Sequence, residues 1–512
     1  MSPDPLQALG LQPDDDANRR LVAAVHPTPW QNPNPADRYD LVILGGGPAG
    51  LVAASSAAGL GARTALVERH LLGGDCLNVG CIPSKALIAA ASVAQTVRDA
   101  NRFGIRVPAP IIDFPAVMAR MRDIRAGIAP HDSARRFTDL GVDVFLGHGR
   151  FASPDSIEID GRELRFRRAL VATGARPSLP DVPGLAEAGA LTNENIFNLT
   201  SLPRHLVVLG AGPIACELAQ AFRRLGSEVT LLARRDHLLS RDDPEAGDIV
   251  ARRLHLEGVT LRWNVLVQRV DRRPGGAVRI DYVHGSQSAT LEASDLLVAI
   301  GRTPNSAGLQ LERAGIRCRP DGSIEVDDHL RTHNARVFAA GDVCLPQRFT
   351  HAADFAARTV IQNALFPSRK RFSRLTIPHC TYTDPEVAQV GHTPASARAQ
   401  GIETTAFTRR FDAVDRARTD GTTTGFVRIL VRQGSDEIVG ATIVGAHAGN
   451  LIGEIATAMA ARMGLGTLAN VIHPYPTLSE AIRQCGDDFN RTRLTPTART
   501  WIGRWLRWNR NR

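Results

Sequence analysis

The amino-acid sequence predicts an α/β chain in which one βαβ unit occurs twice, and three observations predict it. First, Tyr39-Asp40-Leu41-Val42-Ile43-Leu44 is an apolar run suited to a buried parallel strand, and it ends in the G-x-G-x-x-G turn Gly45-Gly46-Gly47-Pro48-Ala49-Gly50. Second, the arrangement recurs at His205-Leu206-Val207-Val208-Leu209, followed by Gly210-Ala211-Gly212-Pro213-Ile214-Ala215. Third, 512 residues with 43% hydrophobic and 22% charged side chains are ordinary for a globular protein of several domains, roughly three on a prior of about 150 residues each.

The first turn lets the backbone approach a pyrophosphate closely, and the helix running on through Leu60 points its positive end at that phosphate. A second strand, Thr64-Ala65-Leu66-Val67, ends in Glu68, where a carboxylate can accept hydrogen bonds from ribose hydroxyls. Gly45, Gly47, Gly50 and Glu68 are therefore nucleotide-binding candidates. In the second unit Gly210 and Gly212 repeat the loop, a helix runs through Leu225, and a strand runs over 228–232. Ala233 then follows the first motif glycine by the same offset as Glu68, and Arg234 and Arg235 come next. Where an acid would repel a 2′-phosphate this position offers cations, so NADPH is favoured over NADH. Both units read as Rossmann-like dinucleotide-binding domains, and two sites imply two nucleotides.

The net charge of +9 comes mostly from scattered Arg with few aromatics between, a solvated surface rather than a nucleic-acid site. The stretch 500–512 differs: Trp501, Ile502, Trp505 and Leu506 repeat at helical spacing among Arg504, Arg507, Arg510 and Arg512. That pattern suits weak contact with a membrane surface, and equally a terminal helix packed on its own protein. The amino-terminal 38 residues include Asp14-Asp15-Asp16 and lack the basic-then-apolar build of a secretion signal, and no apolar run is expected to approach a membrane span. Seven cysteines in a long chain argue for a reducing cytoplasm over a disulfide scaffold.

The segment Gly73-Gly74-Asp75-Cys76-Leu77-Asn78-Val79-Gly80-Cys81-Ile82-Pro83-Ser84-Lys85 places two cysteines just before a predicted helix over about 86–100. A helix amino terminus and Lys85 both favour the thiolate. A redox pair, a zinc half-site and two buried thiols are all open readings, and no further zinc ligands stand at suitable spacing.

This run resembles the active-site segment of the pyridine nucleotide-disulfide oxidoreductases, the family that includes glutathione reductase, dihydrolipoamide dehydrogenase and mercuric reductase. The resemblance extends over about 40–491, through Ala172-Thr173-Gly174, Ala299-Ile300-Gly301-Arg302-Thr303-Pro304-Asn305, Ala340-Gly341-Asp342-Val343 and Tyr382-Thr383-Asp384-Pro385-Glu386-Val387-Ala388. It implies FAD on the first glycine loop, with Glu68 on its adenosine ribose and Asp342 on its ribityl chain. Gly74, Thr173, Gly174, Gly301 and Arg302 join the cofactor-binding set. It further implies Cys81 as the flavin-proximal thiolate, Cys76 as the outer thiol, and Lys85 beside the flavin ring paired with Glu217. The implied domains are an extension (1–38), an FAD domain in two parts (39–180 and 303–368), a nucleotide domain (181–302), an α+β homodimerisation domain (369–490) and a basic tail (491–512).

One departure from the family bears on the acceptor. Disulfide reductases of the family end in a His-Pro-x-x-x-Glu run whose histidine protonates the departing thiol. Here the run is His473-Pro474-Tyr475-Pro476-Thr477-Leu478-Ser479-Glu480, and alignment on Pro476-Thr477 and Glu480 puts Tyr475 in the acid-base position. Phenol, with a reference pKa of about 10, is a poorer shuttle at neutral pH than imidazole at about 6.5. Tyrosine there is similar to the mercuric reductases, which hold a metal ion by thiolates, although this chain lacks their carboxy-terminal cysteine pair. Cys485 reads as a buried structural thiol rather than a relay. The expectation is a mercuric-reductase-like oxidoreductase acting on a metal ion or small molecule. Alternatives are a disulfide reductase with His473 in proton transfer, a quinone reductase, and a membrane- or partner-docked flavoprotein with a binding or sensing role.

Overall fold

The computed structural model describes residues 5–511, which divide into two compact units. Among these, the first comprises 5–210, 218–234 and 258–374, and the second 211–217, 235–257 and 375–511.

The first unit opens with helix α1 (Asp16–Val25), started by Asp15, whose carboxylate accepts the Asn18 amide. Strand β1 (Tyr39–Leu44), helix α2 (Pro48–Gly59) and strand β2 (Thr64–Glu68) form the expected βαβ unit. Helix α3 (Cys81–Asp99) starts about five residues earlier than the sequence suggests, with Pro83 in its first turn, where a missing N–H costs nothing. Helix α4 (Phe114–Ile128) packs on both α1 and α3. Strand β3 (Val142–Leu146) pairs in parallel with β2, and strand β4 (Arg162–Val171) in parallel with β1. A meander of Arg150–Ser153 and Ser156–Ile159 extends the sheet beyond β4.

A second parallel sheet holds β5 (His205–Leu209), β6 (Glu228–Leu232) and β7 (Asp295–Val298), with Thr260–Arg262 at its edge in the order Thr260–Arg262, β6, β5, β7. The helix α5 (Pro213–Leu225) connects β5 to β6. The chain leaves the first sheet through Ala175–Pro177 and returns through Arg302–Pro304, and these two segments pair antiparallel. Thr173 and Asn305 reinforce the crossing: the threonine hydroxyl donates to the Asn305 carbonyl at 2.7 Å, and the asparagine amide donates to the Thr173 carbonyl at 3.0 Å. Two motifs more than a hundred residues apart are thereby one structural joint. Strand β8 (Val337–Ala339) then joins the first sheet beside β4, and helix α6 (Thr350–Leu365) packs on α2.

The second unit is built on a five-stranded antiparallel sheet in the order His379–Thr381, Glu386–Gly391, Ile438–Gly445, Phe426–Arg432, Thr404–Arg410. Helices α7 (Ala448–Ala460) and α8 (Glu480–Thr492) cover its apolar face, burying Ile429, Ile443, Ile452, Ile455, Ile482 and Cys485. The chain finishes in helix α9 (Pro496–Arg510).

One expectation is corrected. The continuous stretch Gly74–Phe103 is by length and composition apolar enough to cross a membrane, with a mean hydropathy of 1.5 over its best window. The sequence reading missed it because small residues rather than long aliphatics supply the hydropathy. In the fold, Ala86, Leu87, Ala91 and Ala94 of this stretch are buried, and it packs on α4.

The amino-terminal extension is part of the first unit's interior. Arg125 on α4, only 1% exposed, donates to the Asn18 side chain at 2.6 Å and to the Asn78 carbonyl at 2.7 Å, so it ties α1 to the segment between the two cysteines. Asp15 accepts from the neighbouring buried Arg122 at 2.6 Å. Burial and the Arg122 charge press the Arg125 guanidinium down to about 10, still cationic at neutral pH. Asn18→Ala removes a hydrogen bond to a buried charge and is expected to cost about 1.5–3 kcal/mol in urea unfolding; an unchanged midpoint would show that the extension is only draped on the surface.

Candidate functional site

The redox segment rests directly on the first glycine loop. Gly45, at φ +104°, lies so close to β4 that an added Cβ would stand 2.4 Å from the Ala172 carbonyl oxygen. Gly74, at φ +55°, would drive a Cβ to 2.7 Å from the Gly47 Cα. Glycine is required at both for conformation and for space. The Gly46 amide donates to Glu68 at 2.6 Å and the His70 amide donates to its other oxygen at 2.7 Å, so the carboxylate at the end of β2 is fixed against the loop. Gly50 sits within α2, packed against the Gly45 carbonyl.

These residues fit an adenine dinucleotide. The loop presents backbone without side chains at Gly47, the amino end of α2 follows it, and Gly174 faces open space. Asp342 lies on a short turn whose Gly341 approaches Ala49 of α2, which puts this carboxylate on the same side of the loop. Its carboxyl is pushed up by burial and held back by Arg302, whose Nε lies 3.3 Å from it. Arg302 also pairs with Asp75, the residue before Cys76, and so links the crossing strands to the redox segment. Gly301, at φ +151°, precedes it in the same crossing.

Cys76 lies in the short helix Gly74–Asn78, and Cys81 is the first residue of α3. Both are free thiols in hydrogen-bond contact. The Cys76 thiol is pushed far up, first by its bond to Cys81, then by burial and by the charge at Cys81. Cys81 stands at the positive end of α3, which favours the thiolate there. The Thr350 hydroxyl lies 3.3 Å from the Cys81 sulfur. Asn78 holds the intervening turn by donating to the Leu72 and Gly74 carbonyls at 3.0 and 2.9 Å, and Asn193 donates to the Val79 carbonyl at 3.2 Å. Lys85, half-buried, stands one turn along α3. Sequence reasoning missed Thr350, Asn193 and Arg125, none of which belongs to a local motif. The position of Thr350, a few residues after Gly341-Asp342-Val343, is the one signal that pointed near it.

In the second nucleotide unit Gly210 ends β5 at φ +144°, and its amide donates to the Leu232 carbonyl at 3.0 Å. Gly212 faces open space. Ala233 is buried at the end of β6, while Arg234 and Arg235 are exposed. Glu217, buried on α5, accepts the Tyr382 backbone amide at 2.8 Å.

His473 engages both ring nitrogens, with Glu454 at 2.8 Å and the Val471 carbonyl at 2.9 Å. Glu480 pairs with Arg483 at 2.9 Å on its own helix. Tyr475 is exposed and donates to Asp415 at 3.1 Å; this hydrogen bond and the carboxylate's charge push the phenol up. Cys485 is buried against the Val427 carbonyl, and burial pushes it up to about 12, so its thiol is unreactive. Among the described residues, no group of three His, Cys, Asp or Glu is placed to hold a metal ion.

A fold with two parallel sheets, a glycine loop and a cysteine pair seated on it defines a flavoprotein disulfide reductase. The chain belongs to the pyridine nucleotide-disulphide oxidoreductase family, whose model matches residues 39–359 and whose dimerisation domain matches residues 377–485. It is 35% identical over 461 residues to a mercuric reductase of Streptomyces lividans, covering 88% of this chain and 96% of that one. It is 32% identical to a dihydrolipoyl dehydrogenase of Chlamydia muridarum, covering 87% and 95%. Among solved structures, the Cu(II) complex of the HOCl-induced flavoprotein disulfide reductase RclA from Escherichia coli matches with a TM-score of 0.79 at 27% identity, covering 88% of this chain and 99% of that one. The family is FAD-dependent and uses a pyridine nucleotide.

Gly74→Ala tests the seating of the redox segment. The added methyl meets the Gly47 backbone, and the variant is expected to lose most of its flavin on purification and to unfold with about 1–3 kcal/mol less stability. Full flavin content would contradict the close approach.

Proposed function

We propose that this protein takes two electrons from NADPH and passes them, through FAD, to a disulfide formed by Cys76 and Cys81 and on to a metal ion held by sulfur, as a mercuric-reductase-like enzyme. The observation that carries the reading is the hydrogen-bonded Cys76–Cys81 pair seated on the glycine loop, with Cys81 at the amino end of α3. Bound FAD supplies a two-electron relay between nicotinamide and sulfur. Cleavage of the disulfide takes two electrons and one proton, leaving Cys76 as a thiol and Cys81 as a thiolate. The first turn of α3 and the Thr350 hydroxyl hold that charge, and Arg302 fixes the neighbouring Asp75.

The metal acceptor is favoured over a disulfide by the proton inventory. A departing thiolate needs an acid that releases its proton near neutral pH. Tyr475, raised above the ordinary phenol range by Asp415, remains protonated at pH 7, and His473 has both ring nitrogens engaged. A dication needs no such acid: it displaces the Cys76 proton and binds two thiolates. The balanced reaction is NADPH with a divalent metal ion giving NADP+, a proton and the neutral metal. The mercuric reductases among the relatives and the Cu(II) in the E. coli neighbour support the same acceptor class. The matched dimerisation domain supports a homodimer, and a reducing cytoplasm suits the exposed thiol at Cys81.

Steady-state NADPH oxidation by the purified holoprotein should be faster with mercuric ion in excess thiol than with lipoamide, glutathione disulfide or a quinone. Faster turnover of either disulfide would overturn the metal reading. The exposed cations after Ala233 make a separate prediction: the double variant Arg234→Ala, Arg235→Ala should raise the KM for NADPH on the order of tenfold or more while leaving NADH little changed. Equal losses for both would show that these residues do not read the 2′-phosphate.

A further inference from the structure

Helix α9 stands outside everything described so far. Its amino terminus is well made, with the Thr495 hydroxyl accepting the Ala498 amide at 3.2 Å and Pro496 at the first position. Yet the helix buries none of its residues. Trp501, Ile502, Trp505, Leu506 and Trp508 are 45 to 65% exposed. At about 100° per residue the three tryptophans fall within about 60° of one another, and Ile502 and Leu506 widen the same stripe. Arg499, Arg504, Arg507 and Arg510 occupy the remainder of the circumference. Three of the chain's five tryptophans lie on this helix, and after Asp488 there are seven Arg and no Asp or Glu.

A helix of this length is marginal in water without tertiary support, so its apolar stripe needs a cover. The charge pattern chooses among covers. In a two-fold contact with a second copy the stripe would meet its own image, bringing arginine rows of equal sign together at the rim. An anionic bilayer meets both halves of the helix: indole rings and aliphatic side chains enter the headgroup boundary while the guanidinium groups remain in the layer of lipid phosphates. Arginine suits that layer because its planar fork pairs with phosphate oxygens.

We propose that α9 is an interfacial anchor that holds this protein on an anionic lipid surface, lying in the plane of the membrane rather than crossing it. At 15 residues the helix spans about 22 Å, less than the roughly 30 Å hydrocarbon core. The anchor does not depend on the identity of the electron acceptor.

The test uses the full-length holoprotein and sedimentation with two kinds of vesicle, pure phosphatidylcholine and phosphatidylcholine with about 30 mol % phosphatidylglycerol. Binding to the anionic vesicles should be at least about tenfold tighter, should weaken steeply as salt shortens the Debye length, and should shift tryptophan emission to the blue. The triple variant Trp501→Ala, Trp505→Ala, Trp508→Ala should lose vesicle binding, and Arg504→Gln, Arg507→Gln, Arg510→Gln should lose the preference for anionic lipid. Flavin content and NADPH oxidation should be unchanged in both, which separates loss of the anchor from loss of the fold. No binding by the wild type, or equal binding to both vesicles, would overturn the proposal. So would a wild-type assembly, larger than the tryptophan variant by light scattering, that leaves vesicles untouched, since the cover would then be a second copy of the chain.

Discussion

The arrangement depends on a contact between two pieces of backbone, Gly47 in the nucleotide loop and Gly74 at the start of the redox segment. With no side chain on either, the cysteine-bearing turn lies directly on the first glycine loop. The rest of the first unit holds that contact in place. Glu68 fixes the loop from the end of β2, Arg302 ties Asp75 to the crossing strands, and Arg125 grips the Asn78 carbonyl from behind. The glycine-rich loop is held at its start, where the Gly45 amide donates to the Val67 carbonyl and the Gly46 amide to Glu68.

The two cysteines are chemically unequal because their surroundings are unequal. Cys81 begins a helix of nineteen residues and has a hydroxyl beside its sulfur. Cys76 is more buried, hydrogen-bonds with Cys81 and feels the like charge of Asp132. Cys76 is disfavoured as a thiolate first by its bond to Cys81 and then by burial, whereas Cys81 has the helix amino end beside it. Asn18 of the amino-terminal extension joins the same arrangement by accepting a hydrogen bond from Arg125.

Much of this was legible in the sequence where the controlling interactions are local. The loops at Gly45 and Gly210 carry their own strand and helix, so spacing alone located them. The cysteine pair followed from its motif and Pro83 suited an early helical turn, but the helix starts at Cys81 rather than near residue 86 because Gly80, not a local cap signal, precedes it. Thr350, Asn193 and Arg125 reach the redox segment from positions distant in sequence, and tertiary packing rather than any local pattern brings them there. The same limit applies to His473. Its partner Glu454 lies on a preceding helix and so carries no local signal, while Glu480, aligned in the sequence with Tyr475, pairs with Arg483.

Anaerobic titration of the oxidised holoprotein with NADPH, followed by alkylation and mass spectrometry of the peptide over 73–85, tests the central claim most directly. About one equivalent of NADPH should convert Cys76 and Cys81 together from a protected disulfide to two alkylated thiols, with the buried Cys216, Cys344 and Cys485 unmodified throughout. Complete bleaching of the flavin while Cys76 and Cys81 stay bonded would contradict it, because electrons would then leave the flavin without passing through the pair.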